Sequence, residues 1–280
     1  IFEKSFIYDS YANRKNKGTL KAIQRFDCFK RKVSKNNTRV CFILKADIEH
    51  YFETVDHNIL IGTLKRKIKD NKVIWLIKQI LNNFNTKIKG KGMPLGNLTS
   101  QFLANVYLNE LDYFVKHKLK AKYYIRYVDD FVLFNNSCSV LKNYKRQINL
   151  FLKERLNLEL HQGKSKIKKL SSGISFLGFR IFYYHKLLKK VNINRMKNKI
   201  NKFDEEQLDY DVLYLSFEGW ITYAKHANTF NLRTKLINLF EKTFPYHVAT
   251  IQVNRLIKTG AIEILSNEFI SKTFKTISFY

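Results

Sequence analysis

The stretch Tyr123-Tyr-Ile-Arg-Tyr-Val-Asp129-Asp130-Phe-Val-Leu-Phe134 constrains the fold more than any other part of the chain. Aromatic and β-branched residues flank an adjacent acid pair, a composition suited to pleated, half-buried strands and poorly suited to a helix. The expected structure is a hairpin with Asp129 and Asp130 near its tip. Adjacent Asp residues by themselves mostly serve turns. Here Ile125 and Tyr127 before the pair, and Phe131, Val132 and Leu133 after it, bury the hairpin. Two neighbouring carboxylates in such a setting repel one another unless a cation joins them, so the pattern points to a metal site. Asp47 extends it. Arg39 to Ile48 reads as a buried strand ending at that acid, with Phe42-Ile43-Leu44 just before it.

Composition agrees with a polyanionic partner. The 280 residues carry 51 Lys and Arg against 23 Asp and Glu, a formal charge of +28. Such an excess repels itself in the folded state, and clustered Lys and Arg gain most from phosphate contacts and counterion release. An AT-rich genome inflates Lys, Asn and Ile in the same direction, so charge alone favours nucleic acid only in part. The chain is 45% hydrophobic, enough for one large or two smaller domains. Cys28, Cys41 and Cys138 are widely spaced, which argues against a disulfide scaffold or zinc site and suits a reducing cytosol. No apolar stretch is long enough to span a bilayer and no signal peptide opens the chain. A start at Ile1 rather than Met suggests a fragment lacking its N-terminal part.

The remaining pattern is mixed. Residues 19–34 have helical spacing. Asp56 is placed to cap a helix starting near His57, with Ile59, Leu60, Thr63 and Leu64 on one face, and a second helix follows over Val73 to Leu81. Gly90 to Asn97 is punctuated by glycine and proline and leads into a helix with the stripe Leu103, Tyr107, Leu111, Val115. A helix over Val140 to Leu156, a strand pair at Ile174 to Tyr184, and a basic helical region from Asn192 complete the reading.

Phosphoryl transfer to a 3′-hydroxyl needs in-line positioning and charge neutralisation, which two Mg²⁺ ions roughly 4 Å apart supply when carboxylates hold them. Mg²⁺ takes hard oxygen ligands and keeps several waters, so two or three Asp from different elements suffice. At this point the chain resembles bacterial reverse transcriptases. Lys45-Ala-Asp47-Ile-Glu-His-Tyr-Phe52 is similar to their A motif, and Gly92-Met-Pro94-Leu-Gly96-Asn97-Leu-Thr-Ser100-Gln101 to the B motif. Tyr127-Val-Asp129-Asp130 resembles the C motif, Leu158-Glu-Leu160-His-Gln-Gly-Lys164-Ser165 the D motif, and Phe176-Leu-Gly178-Phe179 the E motif or primer grip. Order and spacing hold together across residues 39–185.

The resemblance implies an α+β right-hand polymerase fold: an antiparallel palm sheet backed by helices, partial fingers and a helical thumb. Residues 1–45 and 53–97 would supply fingers and palm elements, 46–52 and 98–185 the palm, and 186–280 the thumb with a C-terminal extension. It also implies two Mg²⁺ ions, with Mn²⁺ able to substitute, held by Asp47, Asp129, Asp130 and the Ile48 carbonyl. Phe52 would be a steric gate against the ribose 2′-OH, the group that distinguishes RNA from DNA. Leu95, Gly96, Asn97 and Gln101 would line the nucleotide, glycine letting backbone approach closely. Lys164 would serve the leaving pyrophosphate, although its basic run (Lys166, Lys168, Lys169) suits a solvated face nearly as well. Arg14, Lys15, Phe176, Leu177, Gly178, Arg195, Lys197, Lys199 and Lys202 would contact nucleic acid. Trp220 reads as a core anchor.

Intron enzymes carry Pro-Gln-Gly and Ser-Pro in the B motif, where this chain has Pro94-Leu95-Gly96 and Ser100-Gln101. With the Ser10-Tyr-Ala-Asn-Arg14 segment, this is similar to diversity-generating retroelement enzymes and their phage-defence relatives, in which an aliphatic residue at the Leu95 position accompanies error-prone copying. The implied partners are an RNA template, a DNA or RNA primer, dNTPs and a small basic accessory protein, without a membrane, in a bacterial or phage-encoded cytoplasmic setting. Untemplated or protein-primed DNA synthesis, or an inert nucleic-acid-binding module, are the alternative readings.

Overall fold

The computed structural model describes residues 1–83, 88–94, 96–204 and 210–243. The apolar run before Asp47 forms β1 (Phe42–Ala46), the inner strand from which the main sheet is built. The acidic segment forms the hairpin β2 (Tyr124–Tyr127) and β3 (Asp130–Asn135), and β4 (Lys166–Lys169) closes the other side, giving the order β2-β3-β1-β4. All pairings are antiparallel; Ala46 stands opposite Phe131, and Lys45 opposite both Val132 and Lys166.

Both faces of this sheet are covered, which is why β3 buries Phe131, Val132, Leu133 and Phe134 in succession instead of alternating. On one face α1 (Thr19–Val33) packs with Phe26 edge-on to Phe134 at 4.7 Å. On the other, Leu44, Ala46 and Leu133 join a core with α5 (Leu98–Tyr113) and α6 (Cys138–Leu156). The stripe Leu103, Tyr107, Leu111 and Val115 is buried as its spacing predicts, and a π turn over Phe114–Lys118 extends α5. Asp56 caps α3 (His57–Lys65) by accepting from the Asn58 and Ile59 N–H groups. Asp70, unremarked in the sequence, caps α4 (Asn71–Asn82) in the same manner.

Three elements go beyond the sequence reading. A single helical turn, α2 (Tyr51–Thr54), lies between the end of β1 and α3. β4 is an edge strand made mostly of lysine, a composition that hides a strand from pattern reading and protects an edge from aggregation. The expected strand pair over 174–184 is a three-stranded sheet, β5 (Ile174–Phe176), β6 (Phe179–Ile181) and β7 (Lys186–Leu188).

The chain divides into two compact units, one of Ile1–Asn192 with His226–Asn228, the other of Ile193–Lys225 and the residues from Thr229 on. The second unit holds most of α7 (Lys190–Asp204), α8 (Tyr210–Ala224) and α9 (Phe230–Thr243) around Met196, Ile200, Leu213, Phe217 and Phe240. Trp220 packs partly buried against that cluster, as a core anchor should. Among the described residues no helix is long and apolar enough to cross a membrane, and all three cysteines are free.

Candidate active site

The acidic hairpin is closed by the Tyr127–Asp130 pair, which leaves Val128 and Asp129 as a two-residue turn. Val128 has φ +55°, and Asp129 is not in the positive-φ region. That pattern is the type II′ turn, which ordinarily places glycine first. A β-branched residue there is strained, at a cost of about 1–3 kcal/mol. The turn is held from beneath by Arg126, wholly buried, whose Nη1 donates to the Val128 carbonyl at 3.0 Å.

Continuing the β1–β3 register past Ala46 and Phe131 brings Asp47 opposite Asp130. The backbone of Asp47 is fixed on its other side. The His161 N–H donates to the Asp47 carbonyl at 2.8 Å, and the buried Ser165 hydroxyl meets both the Asp47 N–H and carbonyl at 3.3 Å. Glu49 donates to Glu159 at 2.9 Å, so Asp47 and Glu49 both turn their backbone groups toward the 159–165 segment. Backbone groups alternate sides along a strand, which leaves the Ile48 carbonyl facing the hairpin side.

Two lysines sit on these acids. Lys164 Nζ donates to Asp47 Oδ2 at 2.8 Å, and Lys45 Nζ lies 3.0 Å from Asp130 Oδ1. Burial is the main force raising the Asp129 carboxyl above its ordinary range, with the Asp47 charge adding to it. Asp130 is pushed up to about 6, again chiefly by burial; the Lys45 ammonium opposes the shift, and Asp47 and Asp129 reinforce it. The Lys164 ammonium is strengthened as an acid's partner by its bond to Asp47.

This donor set suits a hard divalent cation. It offers ionisable carboxylates that are partly stripped of water and repel one another, beside a backbone carbonyl. Among the described residues no three carboxylate, imidazole or thiolate groups form a closed cage. A cation such as Mg²⁺ would therefore complete its shell with water and substrate oxygens, as that ion ordinarily does.

The structure brings Phe52 to the segment that precedes Gly96 and Asn97. Phe52 lies on α2, half-buried and edge-on to Tyr51 at 5.4 Å, and its carbonyl accepts from the Met93 N–H at 2.7 Å. Gly92 donates to Val55 at 2.8 Å, and His57 Nε2 meets the Gly92 carbonyl at 2.7 Å. Gly96 takes φ +84°, Asn97 caps α5 through Thr99, and Gln101 lies in its first turn, half-buried. Leu95 lies outside the described residues.

Other expected contacts fall differently. Arg14 is turned inward: its guanidinium pairs with Glu3 at 2.7 Å and donates to the Ile7 and Ser10 carbonyls, so it builds the N-terminal loop rather than presenting charge. Lys15 beside it is exposed. Phe176 is fully buried, stacked at 5.8 Å on Phe26, while Leu177 and Gly178 (φ +44° and +85°) form a half-buried turn between β5 and β6. Arg195, Lys197, Lys199 and Lys202 are exposed on α7, and Lys199 Nζ donates to Ser216 at 2.8 Å. Lys45, Ser165 and Arg126 had no role in the sequence reading. The signal for Lys45 was its place two residues before Asp47, on the same side of the strand.

Comparison with known proteins gives a consistent picture. Residues 1–181 match the family described as "Reverse transcriptase (RNA-dependent DNA polymerase)". The chain is 27% identical over 249 residues to the putative COX1/OXI3 intron 2 protein of Saccharomyces cerevisiae, covering 65% of this chain and 28% of that one. It is 25% identical over 229 residues to protein YkfC of Escherichia coli K12, covering 65% and 57%. With the group II intron-encoded protein LtrA of Lactococcus lactis it shares 28% identity over 207 residues, covering 50% and 35%. The chain thus spans between about a quarter and three-fifths of these relatives. In fold it is similar to the telomerase of Candida albicans solved with a fragment of telomeric RNA, at a TM-score of 0.58 and 12% identity over 86% of this chain and 44% of that one.

Proposed function

This chain belongs to the reverse transcriptase (RNA-dependent DNA polymerase) family, and we propose that it extends a primer 3′-hydroxyl with dNTPs by copying RNA. The observation that carries this reading is the convergence of three acids from two neighbouring strands: Asp47 at the end of β1, Asp129 in the strained turn, and Asp130 at the start of β3. Asp47 and Asp129, with the Ile48 carbonyl, would hold two divalent cations, Mg²⁺ or in its place Mn²⁺, and Asp130 supports them. Bound there, the cations neutralise charge on the attacking and leaving oxygens of an in-line transfer.

The chain's own residues divide the remaining work. Phe52, five residues after Asp47 and tied through its carbonyl to Met93, would exclude a 2′-hydroxyl. Gly96 lets backbone approach the nascent pair, and Gln101 faces it from the first turn of α5. Lys164, mostly exposed, is free to move from Asp47 to the pyrophosphate. Lys15, the Leu177–Gly178 turn and the α7 cations contact template and duplex phosphates. Within the family, Leu95 and Gln101 favour the error-prone, diversity-generating branch, because an aliphatic side chain in place of an amide removes a polar contact at the templating pair.

The test is primer extension on an RNA template. We expect Mg²⁺-dependent dNTP incorporation that falls at least a hundredfold in Asp129→Asn, a loss of roughly 3 kcal/mol or more of transition-state stabilisation. Undiminished incorporation by that variant would remove the two-metal assignment. Sequencing the products decides the finer reading: misincorporation concentrated opposite template adenines, reduced by Leu95→Gln, supports the diversity-generating branch. Products unrelated to the template would replace copying with untemplated synthesis.

A further inference from the structure

Arg126 carries a concentration of hydrogen bonds that the polymerase reading does not use. Its side chain is wholly buried, and so is that of Asp112, seven residues along α5 from Asn105 and on the same face of that helix. Arg126 Nε and Nη2 donate to the two Asp112 oxygens at 2.8 and 2.6 Å, a bidentate pair. Nη1 donates both to Asn105 Oδ1 and to the Val128 carbonyl, each at 3.0 Å. The partners are themselves fixed: Tyr124 Oη donates to Asp112 Oδ1 at 2.8 Å, and Asn105 Nδ2 to the Ala12 carbonyl at 2.8 Å. Both Arg126 backbone groups are also used, the N–H donating to the Asp9 carbonyl and the carbonyl accepting from the Tyr11 N–H, each at 3.0 Å.

Replacing a buried ion pair by apolar residues is often neutral or stabilising, so stability alone is a weak reason for this one. Its geometry offers another. One rigid guanidinium fork spans from the long helix α5 to the carbonyl of Val128, the β-branched residue at positive φ immediately before Asp129. We propose that Arg126, locked by Asp112 and Asn105, is a positioning residue that holds the Val128 turn in its left-handed conformation and so sets where the Asp129 and Asp130 carboxylates point. Such supporting contacts are needed because a metal site tolerates little displacement of its ligands. The inference rests on the acid triad being the metal centre.

Arg126→Lys is the first test. The ammonium keeps the charge opposite Asp112 but, being a point charge, cannot also reach Asn105 and Val128. We expect a folded protein by circular dichroism, Mn²⁺ binding by electron paramagnetic resonance weakened about tenfold, and kcat lowered about 10–100-fold with KM for primer–template unchanged. Adding Val128→Gly, which adopts positive φ without steric cost, should recover a several-fold part of both losses. Wild-type Mn²⁺ affinity and kcat in Arg126→Lys would overturn the proposal, as would losses that Val128→Gly leaves untouched, since Arg126 would then act elsewhere. Should Arg126→Lys fail to fold, the apolar replacement Arg126→Met with Asp112→Leu and Tyr124→Phe decides on the same measurements. A wild-type protein that binds Mn²⁺ yet incorporates no dNTP would refute the polymerase reading while leaving the Mn²⁺ comparison to judge Arg126.

Discussion

Asp130 is a half-buried acid whose charge the fold resists, and replacing it with Asn should stabilise the protein in a pH-dependent way. Its carboxyl moves from an ordinary 3.8 to about 6. At 1.36 kcal/mol per unit, a shift of about two units corresponds to roughly 3 kcal/mol. Because the folded value is raised, the folded state binds the proton more tightly than the unfolded chain. The resulting stability is fully present below about pH 4 and is lost as pH rises through about 6. Asn imitates the protonated acid in size and neutrality. Urea denaturation of the wild type and Asp130→Asn without divalent cations should therefore give similar stabilities near pH 4. Above pH 6 the variant should lead by about 3 kcal/mol, with the gap opening between those values. Millimolar Mg²⁺ at pH 7.5 should narrow the gap by stabilising the ionised wild type in proportion to its occupancy. A difference constant from pH 4 to 7.5, or a wild type more stable than the variant at pH 7.5 without cation, would refute the argument that burial governs this charge.

Two further substitutions probe Phe52 and the three-stranded sheet. Phe52→Ala should weaken discrimination against ribonucleotides by roughly 10–100-fold in competitive single-nucleotide incorporation; unchanged discrimination would make Phe52 a packing residue of α2. Gly173→Ala should cost about 2–4 kcal/mol in urea denaturation. Gly173 has φ +74°, and an added Cβ would meet Phe182 at 2.6 Å and Arg180 Nε at 2.8 Å.

The acid centre was legible because its residues contradict their surroundings. Asp129 and Asp130 interrupt a run of strand formers, and Asp47 follows Phe42-Ile43-Leu44, so period and polarity together marked a hairpin and a strand end. Asp56 announced α3 for the same local reason, a capping side chain before an apolar face. What escaped depended on partners distant in sequence. Arg126 looks like one more polar residue in a strand until Asp112 and Asn105 of α5 arrive beneath it. Arg14 reads as a surface cation, and only Glu3 and the Ile7 and Ser10 carbonyls draw it inward. β4 was invisible for the opposite reason: an edge strand buries little, so its lysines carry no alternation to detect.

The two lysines on the acids are not equivalent, and their difference separates the roles of the carboxylates. The Lys164 side chain is 58% exposed on a loop, so its bond to Asp47 is of the surface kind, worth about 0–1 kcal/mol, and readily exchanged for a cation. The Lys45 side chain is only 20% exposed within β1, its backbone fixed between β3 and β4, and Asp130 beside it is similarly covered at 22%. Lys45 is thus held in place beside Asp130, where its charge partly offsets the effect of burial on that carboxyl. Under the proposed two-metal reading, Asp47 is therefore the carboxylate whose lysine is most easily exchanged for metal, and the Lys45–Asp130 pair is a fixed neighbour. It limits the repulsion that a third ionised acid would add to the site.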